Sequence, residues 1–326
     1  MNDRANLPRY RLYGVTVATP FRFTYNLLPS SDEPDLFLEY DHSPADPAEY
    51  GTPVYSSSEL NQEGQSAIRL YVDNDAEIIE LPSVCLFHCR GELIRVHPLC
   101  PDIDYLIEIC FVSIVMSYWL ERRQVSAIHA AAVRIGDVAI ALMAGSTGGK
   151  TTIAAHLVSG GCPLVADDIV AVDTVSQTAT VRPAYPQMKL LPEQVDHFWP
   201  RHPRLELIHP SYPKLRTPIG PGGFGEFAEA PCPLAAIYLL DRIDEQQPPA
   251  ADPLHPGAAT IELIRHSFVA QMVDAVDRSR TRMARLGTLA TIVPVRRLRY
   301  ASGYDQLPVL ADYLVSTVTR YDSESP

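Results

Sequence analysis

The segment that most constrains this chain is Ala144-Gly145-Ser146-Thr147-Gly148-Gly149-Lys150-Thr151. An apolar run, 138–143, leads into it. Residues 153–159 continue from it with helical character until Gly160-Gly161 stops them. Strand, glycine-rich turn and helix in that order form a phosphate-binding loop. Glycines let the backbone curl so that successive N–H groups point inward at phosphate oxygens. The helix that follows adds the positive end of its dipole. Lys150 is placed to reach β- and γ-phosphates, and Thr151 to offer its hydroxyl to Mg²⁺. The pattern is relaxed once, where Ala144 stands for its first glycine. The expectation is an ATP and Mg²⁺ site, with Gly145, Ser146, Thr147, Gly148, Gly149, Lys150, Thr151 and Thr152 around the phosphates. A glycine-rich turn that binds nothing is the competing reading. The buried strand before the loop and the glycine-stopped helix after it weigh against that reading.

Downstream, Leu164-Val165-Ala166 reads as a short buried strand ending on Asp167-Asp168. Acidic residues at such a strand end, just after the loop helix, are where a Mg²⁺-directed carboxylate belongs. Neighbours on a strand point to opposite sides, so the two can divide the work. One holds the metal, and the other takes a proton from a hydroxyl. Taken alone, the pair would read as a turn at a strand end. Upstream, His129 lies in the apolar run 127–135, where a lone histidine is usually a satisfied core residue.

His129-Ala130-Ala131, the loop at 144–151 and Leu164-Val165-Ala166-Asp167-Asp168 together resemble the kinase domain of the HPr kinase/phosphorylase family. The resemblance covers residues 126–173. A looser likeness continues through Gln187-Met188-Lys189-Leu190 and Pro233-Leu234-Ala235-Ala236-Ile237. The opening, 10–23, is similar to divergent members that modify ribosomally made peptides, lasso-peptide precursors among them, at a serine hydroxyl. The resemblance implies an α/β P-loop kinase domain with a mixed sheet, joined to a β-rich N-terminal domain. It implies that Lys150 meets the β/γ oxygens and that Thr151 and Asp168 bind Mg²⁺. Asp167 or Asp168 would be the general base, and His129 would sit beside the γ-phosphate or the acceptor. Thr174-Val175-Ser176-Gln177-Thr178 stands where the family carries a glycine-rich signature. The likeness therefore does not extend to phosphorolysis, to a hexamer or to HPr as substrate.

The 326 residues suit two domains. We expect a β-rich domain over 1–100, a connecting helix over 101–124 and the P-loop domain over 125–326. Short alternating or β-branched runs at 36–40, 68–72, 77–81, 84–89 and 92–96 carry the first. The apolar stretch 106–120, interrupted by Glu108, reads as a buried helix too short to span a bilayer. Residues 261–286 have helical periodicity, 291–300 read as a strand and 306–319 as a last helix. Residues 205–230, rich in Pro and Gly, read as a mobile loop or lid, with Lys214 and Arg216 as candidate phosphate or substrate contacts beside the plainer reading of surface charge.

A net charge of −12 disfavours nucleic acid and anionic membrane surfaces as partners. Arg296-Arg297-Leu298-Arg299 reads as a solvated strand end. Six scattered cysteines without a CxxC pair point to buried thiols in a reducing cytoplasm, and Cys85-Leu86-Phe87-His88-Cys89 to an alternating strand. No apolar segment of signal-peptide type follows Met1. The expected partner is a peptide or protein bearing a serine hydroxyl, with room for a homo-oligomer. A nucleotide-sensing or peptide-binding module without phosphotransfer is the alternative. The paired aspartates and His129 argue against it, because a sensor needs no base.

Overall fold

A computed structural model describes residues 4–43, 45–276 and 279–324. It is a mixed α/β structure in two units. The first takes the chain to Arg122 and again at Val269–Ser279. The second takes Arg123–Phe268 and the chain from Arg280 onward. Among the described residues, no helix is long and apolar enough to cross a membrane.

The first unit is a nine-stranded sheet. Arg9–Leu12 and Val15–Ala18 form a hairpin closed by Tyr13 and Gly14, both at positive φ, as a two-residue hairpin turn requires. Leu36–Tyr40 lies parallel to Val15–Ala18 and to Leu93–Pro98. From there Cys85–Arg90, Ala76–Leu81 and Arg69–Asp73 follow as an antiparallel meander. The expected alternation at Cys85–Arg90 is incomplete. Cys85, Leu86, Phe87 and Cys89 are all buried, because both faces of the sheet are covered there.

The apolar stretch forms helix Asp104–Cys110, a π-turn at Phe111–Val115 and helix Met116–Arg122. It does not stand apart as a joint. Ile107, Phe111, Val112 and Met116 are wholly buried, and Tyr13 donates its hydroxyl to the Val112 carbonyl at 2.9 Å. Glu108 is tolerated inside because the Tyr25 N–H at 2.6 Å and the Thr24 hydroxyl both donate to it. The returning helix Ala270–Asp274 packs against Met116–Arg122.

The same unit holds a half-buried histidine. His88 lies 3.1 Å from the Tyr50 hydroxyl through Nε2, and its ring centroid is 4.5 Å from that of His97. Burial, then the neighbouring His97, pushes the His88 pKa down from 6.5 to about 4. Between those values the unfolded chain takes a proton that the native unit refuses. Stability is therefore full above pH 6.5 and falls as pH drops towards 4. Thermal melts across that window should show a loss on the order of 2 kcal/mol in wild type that His88→Gln largely removes. Equal slopes in both proteins would refute the assignment.

The second unit is built on three parallel strands: Val138–Met143, Cys232–Ile243 and Val295–Ala301. Ala130–Ile135 pairs antiparallel with the first through the Gly136-Asp137 turn, and Leu164–Ala166 pairs with Ala130–Ile135. Val170–Val175 and Thr178–Arg182 form a hairpin, with Ser126–Ile128 at its edge. The apolar run 127–135 is thus two strands and not one. At His129 the chain changes partners, and its N–H goes to the His266 carbonyl at 2.7 Å. Helices Lys150–Ser159 and Leu307–Glu324 share a core with Ile140, Leu142, Tyr238, Leu240 and Leu298. In the arginine-rich strand, Leu298 is buried while Arg297 and Arg299 pair with Asp241 and Asp252.

Two expectations fail here. The helical periodicity over 261–286 is broken into Pro256–Arg265, Ala270–Asp274 and Ser279–Ile292. His266-Ser267-Phe268 leave the helix to bond the strand edge, Phe268 N–H to the Ala127 carbonyl at 3.0 Å. Residues 277 and 278 lie outside the described residues.

The Pro/Gly-rich stretch is no loose lid either. Leu207–His209 and Tyr212–Pro218 form a small sheet with Gln187–Leu190. Phe224 enters the core at 4% exposure. Gly225, at φ +63°, packs so tightly on helix Lys150–Ser159 that a Cβ would lie 2.2 Å from Val158 Cγ1. Gly225→Ala should therefore cost on the order of 3 kcal/mol, read as a lower urea midpoint. A mobile lid would show no change.

Candidate functional site

Val138–Met143 delivers the chain to the glycine loop at the carboxyl end of the parallel strands, where open α/β sheets bind ligands. Thr147 and Gly149 sit at positive φ, 60° and 88°. Gly148 and Gly149 are sterically required. A Cβ on Gly148 would come within 2.6 Å of the Ala144 Cβ, and one on Gly149 within 2.3 Å of the Tyr300 hydroxyl. Tyr300 donates that hydroxyl to the Gly148 carbonyl at 3.2 Å and steadies the turn.

Helix Lys150–Ser159 begins at Gly149 with no side-chain cap. Its first-turn N–H groups therefore have no acceptor within the helix and are left to an external one. This uncapped helix start behind a cradle that excludes Cβ atoms fits a phosphate chain. Lys150 is 7% exposed, and its Nζ donates to the carbonyls of Ala144 at 2.8 Å and Gly145 at 3.2 Å. Burial lowers its pKa, and Asp168 and Asp167 pull it back up. In the next residues, the Thr151 hydroxyl donates to Asp167 Oδ1 at 3.3 Å, and Thr152 Oγ1 accepts from Gln194 Nε2 at 2.7 Å.

The two aspartates lie just beyond strand Leu164–Ala166, so strand alternation does not separate them. The left-handed backbone of Asp168, φ 75°, does. Asp167 is buried, turned towards Thr151, and accepts the Lys189 N–H at 3.0 Å. Burial and the adjacent Asp168 raise its pKa. Asp168 faces the other way. Its Oδ2 accepts from Lys189 Nζ at 2.9 Å, and its Oδ1 lies 3.4 Å from His129 Nε2. Burial would raise Asp168, but the Lys189 ammonium and the hydrogen bonds from His129 and Lys189 outweigh it. Its carboxyl is held well below the usual carboxylate range. The His129 ring is fixed edge-on by Phe268, with centroids 5.8 Å apart. The structure thus brings His129, Lys150, Thr151, Asp167 and Asp168 into one neighbourhood.

Lys189, Tyr300 and Gln194 are the partners that sequence reasoning did not single out. Lys189 carried a signal, a lysine inside the apolar run Met188-Lys189-Leu190. Tyr300 and Gln194 carried none. Lys214, on strand Tyr212–Pro218, is exposed, and its charge acts on both Lys150 and Asp167.

No family model matches this chain, and no curated protein is similar to it in sequence. Among solved structures, it is similar to the HPr(Ser) kinase/phosphatase of Coxiella burnetii at 9% identity and a TM-score of 0.32. That likeness covers 61% of this chain and 99% of that one. It is too slight to decide anything about the site, which stands on its own geometry.

Proposed function

We propose that this protein is an ATP- and Mg²⁺-dependent kinase that transfers a phosphoryl group to a hydroxyl, a serine of a peptide or protein. One observation carries the reading. Beside the glycine loop, just past strand Leu164–Ala166, adjacent aspartates face two different groups, one the loop threonine and the other a histidine–lysine pair. A loop that only sensed nucleotide would need the first carboxylate but not the second.

In this reading the first-turn N–H groups and Lys150 hold the phosphates, with Lys150 exchanging its loop carbonyls for phosphate oxygens. Thr151 and Asp167 would hold Mg²⁺, which when bound neutralises charge on the phosphates. This assigns to Asp167 the metal role that the sequence had suggested for Asp168. Asp168 has both oxygens engaged by Lys189 and His129, whereas Asp167 touches the threonine. Asp168 would receive the acceptor hydroxyl as a hydrogen-bond donor and orient it for in-line attack. Its low basicity is no obstacle, because phosphoryl transfer through a loose transition state asks for positioning more than early proton removal. Lys189 and His129 keep it ionised and pointed.

The experiment is calorimetric titration of wild type with ATP, with and without Mg²⁺, followed by ADP release with serine-bearing acceptor peptides. Magnesium-dependent binding and acceptor-stimulated ADP release support the kinase. Binding without any transfer would favour a nucleotide sensor, and no binding would end the reading.

A further inference from the structure

Beside the P-loop, within the same unit, lies a cavity of ≈ 240 Å³ that adjoins the loop at Gly149 and Thr152 and extends away from the aspartates. Its wall includes Thr152, Arg242, Tyr300, Ser302, Tyr304 and Leu307. Its position follows from the strands. Met143, the last residue of the P-loop strand, is level with Leu239, so Cys232–Ile243 runs on past the loop, and Arg242 is paired with Tyr300 there. Ala236, Tyr238 and Leu240 pack into the core shared with the P-loop helix. Strand alternation puts Arg242 on that same face, beyond the core. Its neighbours Arg297 and Arg299 are neutralised by Asp241 and Asp252, while Arg242 has no ion pair among the described residues.

The aromatic wall is rigid. Tyr304 stacks on His197 with centroids 4.1 Å apart and an interplanar angle of 24°, and meets Phe198 edge-on at 5.7 Å. It nonetheless keeps 38% of its surface exposed. Leu307 adds buried apolar surface beside it.

A fixed aromatic plate, an unpaired guanidinium and a serine hydroxyl around the first helix turn suit the nucleoside end of a nucleotide. A P-loop lysine draws the β/γ end inward, so the α-phosphate and nucleoside leave on the far side of the cradle. Here that side is marked by Thr152, whereas Asp168 and His129, where an acceptor belongs, are absent from the lining. We propose that this cavity is the nucleoside subsite, with the base against Tyr304 and Leu307 and Arg242 at the α-phosphate. This inference rests on the P-loop reading above.

The test compares Mg·ATP with Mg·tripolyphosphate, which has the same phosphates and no nucleoside, by calorimetry on the full chain. Wild type should prefer ATP. Tyr304→Ala should weaken ATP roughly tenfold, as expected for one lost base–aromatic stack, and leave tripolyphosphate unchanged. Tyr304→Phe should behave as wild type. Arg242→Ala should weaken both ligands, since both fill the α position. Unchanged tripolyphosphate binding also certifies that Tyr304→Ala is folded. Wild type that binds both ligands equally, or a Tyr304→Ala protein with an unchanged preference, overturns the subsite alone. Wild type that binds neither overturns the P-loop reading and this inference together.

Discussion

Lys150→Ala is expected to remove Mg·ATP binding from the calorimetric trace, an affinity loss of roughly 100-fold or more. The side chain is nearly buried, and its ammonium is aimed into the loop by the Ala144 and Gly145 carbonyls. A charge so placed is partly stripped of water, so it would interact strongly with a phosphate. The same desolvation means that its removal costs the fold little, and the melting temperature should move by only a few degrees. Lys150→Arg should not rescue, because a planar guanidinium does not fit a point-charge site closed by backbone. ATP binding by Lys150→Ala with wild-type affinity would mean that residues 144–151 are a structural turn only.

The second large effect is on transfer. Asp168→Asn should lower phosphoryl transfer by about 10²–10⁴-fold while ATP affinity stays within about threefold. Asp167→Asn should act differently, weakening the Mg²⁺ dependence of ATP binding, because Asp167 is the carboxylate at Thr151. Asp168→Asn also leaves the mostly buried Lys189 ammonium without its counter-charge. A stability loss of about 1–3 kcal/mol is expected from that alone. Lys189→Met combined with Asp168→Asn should recover stability but not transfer, separating the chemical role from the structural one. If Asp168→Asn instead shifted Mg²⁺ affinity and Asp167→Asn spared it, the two roles would be exchanged.

Some of this was legible because it is local. A glycine at the turn, a helix start and the lysine that follows it are fixed by backbone sterics and short spacing, so residues 144–152 could be placed from the sequence. The turn between Ile135 and Val138 is local in the same way, because Gly136-Asp137 suits a two-residue hairpin. Other features were misread because the deciding partner lies far along the chain. The run 127–135 is apolar but for His129 and Arg134 and carries no turn residue, yet it divides at His129 because His266 supplies the carbonyl for its N–H. The glycines at 220–225 have the composition of a loop, but the Val158 surface that Gly225 packs against is invisible to composition.

The sequence by itself determined the glycine turn at 144–151, the helix that follows it and the presence of a carboxylate pair downstream. All follow from residue type and spacing along one short stretch of chain. Only the tertiary structure decided which carboxylate faces Thr151 and which faces His129. That outcome depends on the left-handed turn at Asp168 and on Lys189, which arrives on a separate strand to bind Asp167 through its backbone and Asp168 through its side chain. Charge and backbone geometry from distant segments set those directions, and no local pattern encodes them.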